Sequence, residues 1–215
     1  MIAPLYDASG KPMQFGYDGA MVASRHNEWK PVSSPLISED EVLPIHKRQT
    51  LIGHLHDLYR NDPLTQSIIQ CLITNVGYPK VRSRTSDEGF NDIKNQAFKK
   101  WFSNCELTGM NMREIISMII KSLCLEGEIF FMLTNDGMLQ AIEPIRIQSK
   151  TKDKAENEID GIRFNKNGKP TSYRICQLDS SGKVDILNGR HVAARNIIHI
   201  ANRTRINSLR GIPML

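Results

Sequence analysis

The sequence predicts an α+β fold in which helices come first and an antiparallel sheet follows. Three observations lead there. Helical periodicity dominates from Ile45 to about Leu125, and the period changes abruptly at Gly127. From that point short apolar runs alternate with turn signals such as Asn135-Asp136-Gly137, and no βαβ alternation occurs. With 215 residues, 40% of them hydrophobic and 24% charged, the chain can bury a real core and is not broadly disordered.

The opening stretch, 1–44, is rich in Gly, Pro, Ser and small polar residues, with Tyr6, Phe15, Tyr17 and Trp29 irregularly spaced. It reads as an extended arm that docks on its own domain or on a neighbouring subunit. The part that follows, 45–126, reads as helical. Leu51, Ile52, Leu55, Leu58 and Tyr59 mark a first helix face. In the next helix Asp62 is a good N-cap, Pro63 suits the first helical position, and Gly77 offers a left-handed terminator. Between these marks Leu64, Ile68, Ile69, Leu72, Ile73 and Val76 repeat at helical spacing, which requires a buried face. A third helix between Asp87 and Phe102 turns Phe90, Ile93, Ala97, Phe98 and Trp101 inward. In the fourth, Asn111 and Glu114 approximate a capping box ahead of a stripe of Met112, Ile115, Ile116, Ile119, Ile120 and Leu123.

The remainder, 127–215, reads as β-rich. Glu128–Thr134 and Met138–Glu143 flank the Asn135-Asp136-Gly137 turn as a hairpin. A charged, exposed connection, Lys150–Glu158, leads to strands Ile159–Phe164 and Thr171–Leu178 around a turn at 165–170. Asp179–Lys183 makes another turn before Val184–Leu187, and Ile197–Ala201 is the last strand.

The search for chemistry is mostly empty. No apolar run approaches a membrane span of ~20 residues, and the start lacks the basic-then-apolar pattern of a secretory signal, so a cytoplasmic chain is expected. Cys71, Cys105, Cys124 and Cys176 lack metal-type spacing and read as buried free thiols. His46, His54 and His56 fall close together, but His54 and His56, two apart on a helix, diverge by roughly 200° and cannot easily reach one ion. His199, in an apolar run, reads as a satisfied strand histidine. Glu126 and Glu128 bracket Gly127, either as charged flanks of a glycine corner or, with a histidine, as an acid–base pair of an uncharacterised hydrolase. No phosphate-binding glycine loop, no nucleophile elbow, and no catalytic, cofactor-binding or metal site is assigned. The net charge of +5 permits anionic partners. Lys80, Arg82 and Arg84 alternate, and Arg190, Arg195, Arg203, Arg205 and Arg210 cluster. They suit phosphates without sequence readout, or solvated loops and subunit salt bridges.

Taken in order, these pieces resemble the N-terminal part of the lambda-like family of tailed-phage portal proteins. The resemblance rests on Tyr6-Asp7-Ala8 and Trp29, Arg60-Asn61-Asp62-Pro63 with Asn75-Val76-Gly77, Leu125-Glu126-Gly127-Glu128-Ile129-Phe130, and Ile142-Glu143-Pro144. It extends through Asp160-Gly161-Ile162, Gly168-Lys169-Pro170 with Tyr173, Ile197-Ile198-His199-Ile200 and Arg210-Gly211-Ile212-Pro213. It implies a wing-like, non-enzymatic structural subunit of a ring, usually of twelve copies, at a capsid vertex. The implied partners are its own copies, the terminase large subunit, the major capsid or scaffold protein, head-completion and connector proteins, and double-stranded DNA without sequence specificity. No membrane and no cofactor is implied. The implied location is the virion, after assembly in the host cytoplasm. Family members continue beyond the Arg-Gly-Ile-Pro motif, so the expectation is a fragment, a split-gene product or a prophage relic of a portal. The alternative from charge alone is a stand-alone nucleic-acid-binding module. One prediction follows from the fourth helix: Ile119→Asp buries an unpaired charge and costs on the order of several kcal/mol, read as a large drop in melting temperature.

Overall fold

The computed structural model describes residues 43–150 and 157–215. The arm expected at 1–44, with Tyr6, Phe15, Tyr17 and Trp29, therefore lies outside the described residues except for its last two. Most of the 150–158 connection does too. Helices α1 (Ile45–Asn61), α2 (Pro63–Asn75), α3 (Glu88–Ser103) and α4 (Met112–Leu125) precede strands β1 (Glu128–Leu133), β2 (Leu139–Ile142), β3 (Glu158–Ile159), β4 (Ile162–Phe164), β5 (Pro170–Leu178), β6 (Val184–Ala193) and β7 (Ile197–Ala201). The α+β order is as expected. No described helix is long and apolar enough to cross a membrane.

Helix boundaries follow local chemistry. The Asp62 carboxylate accepts hydrogen bonds from the N–H groups of Leu64 and Thr65, while its own N–H donates to Leu58 O, so one residue ends α1 and starts α2. At α4 the capping box is complete: Asn111 Oδ1 accepts from Glu114 N, and Glu114 Oε2 accepts from Asn111 N at 2.8 Å. Gly77 does not adopt the left-handed conformation expected of it. Helix α2 closes instead with Val76 N–H bonded to Leu72 O.

The strands form two antiparallel sheets, one ordered β2-β1-β7 and the other β3-β4-β5-β6. Strand β1 is central, pairing Phe130 with Ile142 on one side and with His199 on the other. Its continuous apolar run is explained by burial on both faces. Ile129 and Phe131 pack with Cys105, Ile115 and Leu139, and Ile119 lies against this cluster. Phe130 joins Ile142, Ile147, Ile162, Tyr173, Ile175, Ile197 and Leu209, a cluster that binds the two sheets together. Leu55, Ile69, Cys124 and Leu125 hold α1, α2 and α4 to one another.

Several expectations are corrected. Ile159–Phe164 is two strands, because Asp160 and Gly161 both have positive φ (46° and 83°) and form a two-residue turn that pairs Ile159 with Ile162. A Cβ on Gly161 would also press against the Gln148 backbone at 2.7 Å. Strand β6 runs past Leu187 to Ala193, because β5 pairs along it through a bulge that leaves Leu187 exposed. Glu158 is buried and paired with Arg163 at 2.8 Å, not a solvated member of the connection. In α3, Phe90, Ile93 and Ala97 face solvent; of the face expected to turn inward, the C-terminal end docks, where Trp101 packs beside Cys105 and donates from Nε1 to Gly137 O. Helix α2 buries Thr65 and Ile69 and leaves Leu64, Ile68 and Leu72 exposed. An apolar stripe wider than the neighbouring helices can cover accounts for that.

Candidate functional site

Where α4 turns into β1, Gly127 has φ of +82° and its backbone touches that of Gly211 and Ile212; a side chain on either glycine would overlap the facing backbone. This contact brings the C-terminal segment onto the first residue of β1, Glu128, whose side chain is wholly buried. Glu128 Oε1 accepts from Arg210 Nε at 2.7 Å and lies 2.6 Å from Arg210 Nη2. Glu128 Oε2 accepts from Gly211 N–H at 2.9 Å and from His199 Nε2 at 3.0 Å. Arg210 in turn donates from Nη1 to Ile147 O (2.9 Å) and Asp160 O (2.7 Å), and from Nη2 to Pro144 O (3.2 Å). One guanidinium thus ties the C-terminal segment to β1, to the turn after β2 and to the β3–β4 turn.

His199 stacks on Phe130 with ring centroids 4.2 Å apart, and its Nδ1 lies 3.4 Å from the Tyr173 hydroxyl. The neutral tautomer with Nε2–H donating to Glu128 and Nδ1 accepting from Tyr173 satisfies both contacts. On the helix side, Arg48 of α1 donates to Gly211 O and lies 3.8 Å from Asp160. Glu126 meets His56 Nε2 at 2.9 Å, and the Ser122 hydroxyl sits between Glu126 Oε2 (2.8 Å) and the Glu128 carbonyl (2.7 Å).

Electrostatics follow the geometry. Burial disfavours the charged form of Glu128, but the Arg210 guanidinium and the His199 hydrogen bond outweigh it and hold the carboxyl at about 2. Burial pushes His199 below its ordinary value against the pull of Glu128, which keeps the imidazole neutral near pH 7. Burial pushes Glu126 up, against the hydrogen bonds from Ser122 and His56. The Glu128 carboxylate is filled on both oxygens by donors of the chain itself, so its chemistry is that of a clamp.

The glycine corner read from Glu126-Gly127-Glu128 is real, but its flanks are not solvated charges. No histidine is near in sequence, yet folding brings His199 to one glutamate and His56 to the other. His199 is the satisfied strand histidine expected. Arg210 is not a surface arginine; Arg190, Arg195, Arg203 and Arg205 are exposed. His46 and His54 are exposed on α1 and take no part. Cys71 is exposed, contrary to expectation, whereas Cys105, Cys124 and Cys176 are buried, and burial pushes the thiols of Cys105 and Cys124 up. Among the described residues no group of three His, Cys, Asp or Glu side chains is arranged to hold a metal ion. Sequence reasoning missed Arg48 and read Arg210 as one of a basic cluster, not as the partner of Glu128. The available signal was Glu128 itself, an acid opening an otherwise apolar strand, which demands a cationic partner.

The convergence has a pattern. Glu126-Gly127-Glu128, the stretch around Pro144, Asp160-Gly161, His199 and Arg210-Gly211 are distant in sequence and meet at one carboxylate and one guanidinium. The family model described as "Phage portal protein, lambda family" matches residues 23–215. The chain belongs to the lambda family of phage portal proteins. Among curated proteins none matches the chain. The portal-family match spans every element described above.

Two predictions test the clamp. Glu128→Gln leaves the buried Arg210 charge without its counter-ion and is expected to cost about 3–5 kcal/mol; Glu128→Leu combined with Arg210→Met removes both charges but strips the Gly211 N–H, His199 and the Asp160 carbonyl of these partners, so it is expected to recover only part of that loss, and chemical denaturation of both variants checks it. For acid, the sign follows from a depressed carboxyl: the unfolded chain binds the proton more readily, so the Glu128 contribution is full above about pH 4.5 and is lost as pH falls toward about 2. That contribution is on the order of 3 kcal/mol. Acid titration of unfolding free energy is expected to show a slope in this window that the double variant lacks.

Proposed function

We propose that this chain is a structural subunit of the portal ring through which phage DNA is packaged and ejected, and that 45–126 and 127–215 form the helical and β-rich parts of its wing. The observation that carries the reading is the family match over 23–215. In this reading its partners are further copies of itself in a ring, usually of twelve, with the terminase large subunit, the capsid or scaffold protein, the connector proteins and double-stranded DNA. It works at the capsid vertex of the virion after assembly in the host cytoplasm, and it turns over no substrate.

Two features support a role in assembly. A closed ring requires the same angle at every head-to-tail interface, and a subunit whose distant segments are tied at one buried ion pair holds its shape from copy to copy. Leu64, Ile68 and Leu72 on α2 and Phe90 and Ile93 on α3 are also exposed, more apolar surface than isolated side chains need.

Light scattering of the purified chain across a concentration series tests the reading. A closed species near twelve subunits is expected, and Ile68→Asp with Ile93→Asp is expected to reduce the mass toward monomer. A wild-type chain that stays monomeric at every concentration would overturn the ring.

A further inference from the structure

The connection between α2 and α3 carries Lys80, Arg82 and Arg84, which the clamp does not use. It has no regular secondary structure, yet it is pinned along its neighbour helix. Ser83 N–H donates to Asn95 Oδ1 at 2.8 Å, Thr85 N–H donates to Asn91 Oδ1 at 2.9 Å, and Asn91 Nδ2 donates back to Thr85 O at 2.9 Å. Asn91 and Asn95 are one helical turn apart on α3, and they take alternate N–H groups of the connection as a strand partner would. Where the backbone runs extended, every second side chain falls on one side. Lys80, Arg82 and Arg84 are all exposed and line a single concavity of about 370 Å³. None of the three makes a hydrogen bond or ion pair among the described residues, and the nearby Asp87 carboxylate is engaged by Phe90 N–H. Arg113 adds a further cation at the Tyr78 end, 5.2 Å from that ring.

We propose that Lys80, Arg82 and Arg84 form a comb that binds the sugar–phosphate backbone of double-stranded DNA. Cations at alternate residues, gathered on one concavity and tethered at its Ser83 and Thr85 end, suit a polyanion whose own charges recur at fixed intervals. No helix or strand accompanies the comb into a groove, so binding is indifferent to base sequence. The proposal names where the DNA of the portal reading meets this chain, and to that extent it rests on that reading.

Fluorescence anisotropy with two labelled duplexes of unrelated sequence, over a series of salt concentrations, tests it on the full chain. Wild type is expected to bind both duplexes equally. The triple variant Lys80→Gln, Arg82→Gln, Arg84→Gln is expected to flatten the slope of log K against log salt by about 2.7, at about 0.9 for each phosphate that is no longer neutralised. Lys166→Gln, Lys169→Gln, Lys183→Gln removes equal charge from exposed turns and is expected to leave the slope unchanged. Circular dichroism confirms that both variants fold. Absence of wild-type binding, an unchanged slope in the comb variant, or an equal fall in the control would overturn the proposal. So would a comb variant that changes the light-scattering mass but not the DNA slope, since the comb would then be a contact between subunits. Ring formation and DNA contact are read by separate signals, so either can fail without the other.

Discussion

A carboxylate buried at the start of the central strand constrains the rest of the molecule. Glu128 cannot remain ionised in an apolar interior without compensation, and its partner comes from 82 residues further along the chain. Bringing Arg210 to that point requires the C-terminal segment to lie across the α4–β1 corner. Two backbones must then pass within van der Waals distance, which only Gly127 and Gly211 permit. The pair also satisfies backbone groups that an apolar filling of the same volume would leave bare. Its value lies in register, because no displacement of Arg210 by even one residue keeps Glu128, Pro144 O, Ile147 O and Asp160 O satisfied together.

Much of this fold was legible because local chemistry marks its own boundaries. Asp62-Pro63, the Asn111/Glu114 box and Asn135-Asp136-Gly137 each satisfy backbone groups within a few residues, so the sequence contains the whole interaction. The Asp160-Gly161 turn is equally local, since Asp-Gly between two isoleucines is a strong hairpin signal, and it divides what periodicity alone joins into one strand. Other features could not be read. The exposure of Phe90, Ile93 and Ala97 depends on what α3 packs against, and periodicity reveals an apolar face without naming its cover. The partner of Glu128 is long-range, as are those of Glu126 and Arg48, so the clamp was visible only as a lone acid that needed company.

The proposed ring role would give these constraints a common purpose. A subunit of such a ring has to present identical surfaces many times over, which favours an interior with one satisfied arrangement over one with several near-equal packings. The clamp lies at the junction of helices and sheets, where a small rotation would be amplified most at the periphery. The three aromatic rings of Phe130, His199 and Tyr173 fill the space beside it and join the two sheets.

The corner at Asp62 bears on which changes in chain length this protein can accept. Because the same residue closes α1 and caps α2, no spare residue stands between the two helices. An insertion there would remove a terminator and a cap at once and swing α2 away from Leu55 and Cys124. The stretch from Gly77 to Thr85 is different: it is tethered at Ser83 and Thr85 but spans open surface before them. Length variants of this protein should therefore survive between Gly77 and Lys80 and be lost at Asp62, even though both sites are short links between helices.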